Sequence, residues 1–129
     1  MRKDSYSNVA VKASLAPAVQ AATLAGSIVD TKGHLSALMV VNTGAIVGAG
    51  DYAIALQESD TTTPGDFSNV ASDDLIGTIP GTLAASTVYR QGYIGKKRYL
   101  RAVITKASGT SIAAGAVMVL GRPAIAPVA

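Results

Sequence analysis

One segment combines positive charge with aromatic rings, a pairing that nucleic-acid surfaces use. Between residues 90 and 101, Tyr93 and Tyr99 are interleaved with five cations: Arg90, Lys96, Lys97, Arg98 and Arg101. Cations neutralise phosphates and tyrosines stack on bases, so this segment could hold a nucleic acid. Alternation, however, places Arg101 on one face with Tyr99 and Val103, which predicts that this cation flanks the core side. We therefore favour charge that faces a protein partner or solvent, and nucleic-acid binding is the weaker interpretation.

A second group of chemically capable residues is acidic and precedes the basic segment. Its members lie in a polar, loop-rich region: Glu58, Asp60, Asp66, Asp73 and Asp74. Two carboxylates can act as general acid and base on a sugar, but such pairs occupy aromatic-lined clefts, and only Tyr52 and Phe67 are nearby. The spacing also differs from the alternating oxygen ligands of an EF-hand loop. We expect Glu58, Asp60 and Asp66 on a solvated or interface loop, with calcium binding as the less favoured alternative.

Neither the single histidine nor a glycine-rich loop completes a catalytic motif. His34 begins a strand after a turn, without a G-x-S-x-G serine or a second histidine to form a triad or a zinc site. Residues 44–50 are rich in glycine, but Asp51 stands where a phosphate-binding loop has Lys followed by Ser or Thr. We therefore expect no catalytic residue, metal or cofactor, and residues 44–50 are interpreted as a turn between strands.

Composition narrows the class of protein further. The chain has 129 residues, of which 49% are hydrophobic, but only 5% are aromatic and 15% are charged. This length fits one domain, and the absence of cysteine excludes a disulfide framework and a thiol nucleophile. Because the charged fraction is low and the mean hydropathy is positive, we expect much of the surface to face another protein. These properties favour a component of an assembly over an enzyme.

The net charge of +3 hides a division along the chain. Residues 33–89 carry six acids and no Lys or Arg, whereas residues 90–129 carry seven cations and no acid. Two outcomes are open at this point. The segments could pair within one chain, or the acidic loops of one copy could meet the basic edge of a neighbour.

Hydrophobic alternation predicts strands along most of the chain. Tyr52, Ile54 and Leu56 alternate with small or polar residues, which predicts one buried face. Residues 87–94 and 98–106 are predicted as strands joined by a short hairpin connection at residues 95–97. Other strands are predicted within residues 35–41, 67–71, 75–80 and 112–120. Seven or eight short antiparallel strands with Gly, Pro and Asp turns are typical of an all-β fold, either a β-sandwich or a jelly roll.

Both ends of the chain lack clear strand periodicity. We predict an N-terminal arm at residues 1–22, a sandwich domain at 23–121 and an extended C-terminal tail at 122–129. The tail contains Pro123 and Pro127, and proline lacks the backbone donor that a sheet interior needs. Because these arms are apolar, we expect them to pack on neighbouring subunits. We expect no membrane partner, because no signal-peptide core or membrane-spanning stretch is present.

A series of motifs runs through residues 50–106. It consists of ALQESD at 55–60, DFSNVA at 66–71, DLIG at 74–77 and YIGKKRYLRA at 93–102. In this order the motifs resemble a family of small structural proteins of tailed bacteriophages, related to head decoration or capsid cement proteins. Sugar-binding sandwiches carry a similar pair of motifs, and the chain departs from their pattern in two ways: a Thr-Thr-Thr-Pro-Gly loop replaces an Asp-Gly turn, and there is no Trp for sugar stacking.

The resemblance implies a non-enzymatic virion protein that binds the major capsid protein as a homo-oligomer, with a trimer favoured. It also implies synthesis in the bacterial host cytoplasm, and no small-molecule substrate is expected. The expected interaction residues are Arg90, Lys96, Lys97, Arg98, Arg101, Glu58, Asp60 and Asp66. The alternative is a β-sandwich module of a phage head or tail that binds carbohydrate or nucleic acid.

Overall fold

The computed structural model describes residues 4–127, and this range contains ten β-strands. They are β1 (Ala10–Gln20), β2 (Leu24–Ala25), β3 (Val29–Asp30), β4 (His34–Val47), β5 (Tyr52–Ser59), β6 (Ser68–Asn69), β7 (Leu75–Ile76), β8 (Val88–Tyr93), β9 (Tyr99–Lys106) and β10 (Ser111–Pro123). Short 3-10 turns lie at Tyr6–Asn8, Pro64–Asp66 and Ser72–Asp74. The strands outnumber the predicted seven or eight because β1 was expected to be part of an arm, and because β2 and β3 have two residues each, too few to show periodicity.

The strands form two antiparallel sheets, which confirms the prediction of an all-β sandwich. The first sheet has the order β1-β10-β4-β8-β7. In the second sheet β2 and β3 both pair with one side of β9, and β5 and β6 follow on its other side. The chain crosses from one sheet to the other six times, after β1, β3, β4, β6, β8 and β9, so the ends of the sandwich are formed by crossing segments.

The core lies between the inner faces of the two sheets, and every second residue of the main strands contributes a side chain to it. Tyr52, Ile54 and Leu56 of β5 are buried, as predicted. On the opposite sheet, alternate residues of β10 from Ile112 to Leu120 are buried. Aliphatic side chains fill most of this core, in agreement with the low aromatic content of the chain.

Residues 10–20 belong to the sandwich, although the sequence predicted an arm across residues 1–22. β1 pairs with β10 along its length, and Leu15 is only 1% exposed. The sequence of β1 shows no regular alternation because the register of its pairing with β10 shifts on both sides of Leu15. Pro17 lies within the second shift. Proline is tolerated at such a bulge because the backbone N–H that it lacks would not pair with the neighbouring strand there. Residues 1–3 of the predicted arm lie outside the described range.

The predicted C-terminal tail also begins within the sheet. β10 continues to Pro123, which lies opposite His34 at the start of β4. Residues 124–127 follow the strand without regular structure, and residues 128–129 lie outside the described range. Between residues 4 and 127 the structure contains no helix that is long and apolar enough to cross a membrane.

Two predictions about the basic segment were wrong. β8 and β9 do not form a hairpin, because they lie in different sheets and residues 94–98 cross the end of the sandwich between them. The buried face of β9 consists of Leu100, Ala102 and Ile104, so Arg101 lies on the outer face. Both faces of this strand carry apolar residues, and alternation therefore could not decide which face is buried.

Candidate interaction surface

The cations of the crossing segment line a groove at one end of the sandwich, which we call the basic groove. It has a volume of about 580 Å³ and lies between residues 31–37, residues 93–98 and Arg122. Its cations are Lys32, Lys96, Lys97, Arg98 and Arg122, and no Asp or Glu is among the described residues that line it. Arg122 reaches this place because the end of β10 pairs with the start of β4.

A tight turn before β4 forms one wall of the basic groove. The backbone N–H of Lys32 donates to Asp30 Oδ1 at 2.9 Å. Gly33 has a φ of +88°, a left-handed conformation that residues with a Cβ rarely adopt. The N–H of Ala124 donates to the Gly33 carbonyl oxygen at 2.8 Å. These contacts hold the start of β4 and the end of β10 at a fixed position beside the groove.

Arg98 is oriented by a bidentate ion pair with Asp30. Its Nε and Nη2 donate to the two carboxylate oxygens at 2.8 and 2.7 Å. Hydrogen bonding to this guanidinium lowers the pKa of Asp30 to about 2. Because the Arg98 and Asp30 side chains are 46% and 43% exposed, the pair contributes little stability and mainly fixes the direction of Arg98. The Arg98 Cζ lies 4.9 Å from the centroid of the Tyr99 ring.

Lys97 pairs with an acid of the same chain. Its Nζ lies 2.6 Å from Asp60 Oδ2, and this contact raises the pKa of Lys97. At Lys97 the acidic and basic segments therefore pair within one chain, which was one of the two outcomes left open by the sequence. Arg98 instead pairs with Asp30, which precedes the acidic segment. The ion pairs of the described residues do not include Lys32, Lys96 or Arg122. These three cations give the basic groove its unneutralised charge.

Tyr93 connects the two sheets beneath the basic groove. Its side chain is 8% exposed, and its hydroxyl donates to Glu58 Oε2 at 2.6 Å. The same hydroxyl accepts a hydrogen bond from the backbone N–H of Lys97 at 2.9 Å. Burial, reinforced by the hydrogen bond to Glu58, raises the pKa of Tyr93 well above its usual value. Tyr93 thus holds the crossing segment against the end of β5.

We expect Tyr93→Phe to lower the free energy of unfolding by about 1.5 kcal/mol, because Glu58 and the Lys97 N–H lose a hydrogen-bond partner. Because the pKa of Tyr93 is raised, its contribution to stability also depends on pH. Above about pH 10 the unfolded chain ionises Tyr93 while the folded protein keeps the proton, so wild-type stability falls as pH rises. Urea titrations between pH 7 and 11 should show that Tyr93→Phe lacks part of this alkaline loss. Tyr6→Phe is the control, since Tyr6 is 89% exposed; an equal response of both variants would contradict the role of Tyr93.

Two of the predicted basic residues lie outside the basic groove. Arg101 lies on the outer face of β9, with its Cζ 4.5 Å from the Phe67 ring centroid. Its Nε donates to Gln57 Oε1 at 2.9 Å. Arg90 is exposed on β8 opposite Val40, on the outer face of the first sheet. The structure therefore brings together Lys96, Lys97 and Arg98, but separates them from Arg90 and Arg101.

The predicted acids line a smaller depression beside Lys97. Glu58, Asp60 and Asp66 border a space of about 250 Å³. Asp66 accepts a hydrogen bond from Thr61 Oγ1 at 2.6 Å, which ties the loop together. Among residues 4–127 there is no group of three or more His, Asp or Glu side chains placed to hold a metal ion. The hydrogen bond from Thr61 thus holds Asp66 within the loop, while Asp60 pairs with Lys97.

Lys32, His34 and Arg122 are groove residues that the sequence reasoning missed. They come from two segments almost ninety residues apart in the chain, and only the pairing of β4 with β10 brings these segments together. The signal that could have found them is the position of Arg122 directly after the last apolar strand. In an antiparallel pair the end of one strand lies beside the start of its partner.

A second surface lies on the outer face of the first sheet, where the bulge of β1 approaches β10. We call this the apolar groove; its volume is about 680 Å³. Its described lining is uncharged: Leu15, Pro17, Ala18, Val19, Val40, Asn42, Thr43, Gly44, Ala113, Ala114, Gly115, Ala116 and Val117. A Cβ added at Gly115 would lie 2.9 Å from the Pro17 Cα, so glycine permits the close approach of the two strands.

The fold and its surfaces define the class: an all-β sandwich with a basic groove at one end and an apolar groove on one face. No protein-family model matches the chain, and no curated protein matches it. Among solved structures, it is similar to a chain from the structure of infectious bursal disease virus Gx strain, with 16% identity and a TM-score of 0.44. The alignment covers 97% of this chain but only 37% of that chain.

Proposed function

We propose that this chain is a structural virion protein that decorates or cements a bacteriophage capsid as a homo-oligomer, and that it is not an enzyme. In this proposal it is made in the bacterial host cytoplasm and binds the major capsid protein. The observation that carries the proposal is the set of exposed aliphatic side chains and the apolar groove on the outer face of the first sheet. The motif resemblance across residues 50–106 points to the same class of protein.

The outer face of the first sheet has the character of an interface. Val11 and Val19 of β1 and Val88 of β8 are 62%, 68% and 65% exposed. The apolar groove lies between these strands, and Arg90 is a cation on the same face. Contiguous apolar surfaces mark sites of association. This face supports assembly with other protein chains.

The basic groove is better suited to an acidic protein surface than to a nucleic acid or a sugar. Bases and sugars stack on open aromatic faces, but the aromatic rings near the groove are not open. Tyr93, the aromatic residue that lines the groove, is buried, and the neighbouring Tyr99 has Arg98 over its ring. Carboxylates of a partner, in contrast, need only the unpaired cations. We therefore assign the basic groove to contact with acidic residues of the shell.

Binding to phage heads that lack the protein tests this function. We expect wild-type protein to co-sediment with such heads and Lys96→Glu to reduce the apparent affinity about tenfold, since a cation facing an acid becomes a repelled acid. Multivalent attachment enlarges the effect for an oligomer. Lys12→Glu is the matched control, because Lys12 is an exposed cation on β1, away from the groove.

Three results would contradict the proposal. They are a wild-type protein that does not bind heads, equal losses from Lys96→Glu and Lys12→Glu, or DNA binding with a steep salt dependence. The last result would favour the nucleic-acid module instead. Selective binding on a glycan array would favour the carbohydrate module.

A further inference from the structure

The chain ends its last strand with an exposed, apolar segment. After Pro123 the segment is held at one point, where the Ala124 N–H donates to the Gly33 carbonyl oxygen. The next residue, Ile125, is 82% exposed. Residues 124–127 read Ala-Ile-Ala-Pro and carry no charged side chain. An exposed isoleucine in an uncharged segment gains free energy if an apolar surface covers it.

The apolar groove has the matching chemistry. Its described lining carries no charge, and Val19 at its edge is 68% exposed. Glycine and alanine of β10 form its floor, so an incoming side chain can approach the backbone of the sheet. The groove is thus complementary to a short aliphatic segment and offers no cation to hold an acidic one.

The Ile125 side chain cannot reach the groove of its own chain. Gly115 at the groove floor lies eight residues before Pro123 on the same strand, which corresponds to about 27 Å at about 3.4 Å per residue. Ile125 is two residues beyond Pro123 and can extend at most about 7 Å from it. An Ile125 side chain in the groove must therefore come from a second copy.

We propose that Ile125 of one copy docks into the apolar groove of the next copy. Each copy then gives one tail and accepts one, which is a head-to-tail contact that closes into a ring under cyclic symmetry. This deepens the proposed function by assigning the contact between copies, while the basic groove remains free for the shell. The contact leaves most of the outer face of β8 uncovered.

The test uses the purified full chain without any phage heads, so its outcome is independent of shell binding. Light scattering after size exclusion should give wild-type protein a mass near three times the 13.0 kDa of one chain. Ile125→Asp and Val19→Asp should each give a monomer, because docking would bury an unpaired carboxylate in the apolar contact between copies. Both positions are exposed within one chain, so neither substitution disturbs the core.

Two further samples distinguish this contact from other modes of association. Val88→Asp is the matched control: Val88 lies on the same face with similar exposure but outside the groove, and it should remain an oligomer. A mixture of Ile125→Asp and Val19→Asp should form a one-to-one complex, because the first keeps an intact groove and the second an intact tail.

The proposal is overturned by any of three results. The wild-type protein could be a monomer at millimolar concentration, or the mixture of Ile125→Asp and Val19→Asp could stay monomeric. In the third result, Val88→Asp dissociates the oligomer as completely as Val19→Asp does. The last result would indicate sheet faces stacked on each other. A wild-type monomer whose binding to heads is weakened by Val19→Asp would assign the groove to the shell instead, leaving the proposed function intact.

Discussion

Replacing Gly26 with alanine is expected to destabilise the protein by about 3 kcal/mol, since the new methyl group has no space. A Cβ at this position would lie 2.5 Å from the Ser14 carbonyl oxygen and 2.8 Å from that of Ala102. Both contacts are with backbone atoms, one from each sheet, so no side chain can rotate away. The Gly26 N–H also donates to the Ala102 carbonyl oxygen at 2.7 Å, and a shift of the segment weakens this bond.

Thermal unfolding followed by circular dichroism measures this effect. A loss of about 3 kcal/mol lowers Tm by about 12 °C in a chain of this size. Gly81→Ala is the control, because nothing lies within 4 Å of a Cβ built there. An alanine at such an open site reduces the entropy of the unfolded chain and should leave Tm unchanged or slightly higher. Equal Tm values for the two variants would show that the backbone around Gly26 can accommodate a methyl group after all.

The second large effect is expected from Ser14→Ala, with a loss of about 2 kcal/mol. Ser14 is the extra residue of the bulge in β1, and the bulge turns its side chain towards the second sheet. Its hydroxyl donates to the Ser27 carbonyl oxygen at 2.8 Å and accepts from the Ala102 N–H at 2.9 Å. On the side of β9 that pairs with β2 and β3, Ala102 falls in the gap between these two short strands, so neither of them pairs with it. Alanine at position 14 therefore leaves a buried N–H without a hydrogen bond.

Chemical denaturation of Ser14→Ala and Ser27→Ala separates this bond from a general effect of losing a serine. Ser27 takes part through its backbone carbonyl, and its side chain is exposed. Ser27→Ala should therefore retain the free energy of unfolding of the wild type within about 0.5 kcal/mol. If Ser14→Ala is equally neutral, another group must satisfy the Ala102 N–H, and the bulge would not join the two sheets.

Several features of the fold follow from local sequence alone. The alternation of Tyr52, Ile54 and Leu56 predicts the buried face of β5, because side chains of a strand alternate between its two faces. The all-β class follows in the same way. The clustering of Lys96, Lys97 and Arg98 is also local, since these residues are consecutive and remain together in any fold.

Other features depend on contacts between distant segments. Residues 95–97 have the composition of a hairpin, but β8 and β9 join different sheets, because the Tyr93 hydroxyl and the end of β5 hold the crossing segment across the sandwich. β1 was predicted as an arm because its two register shifts break the period on which sequence patterns depend. The buried face of β9 was predicted wrongly, since both of its faces carry apolar side chains.

Residue types and a period of two within single strands are enough to predict the all-β class, the aliphatic core and the position of the basic segment. Which charges remain unpaired depends instead on contacts between distant segments. Lys97 and Arg98 are neutralised by Asp60 and Asp30 of the same chain. The groove instead owes its free charge to Lys32, Lys96 and Arg122, residues joined by the pairing of β4 with β10 and by the segment that crosses between the sheets. Long-range strand pairing sets such a site, and no local pattern encodes it.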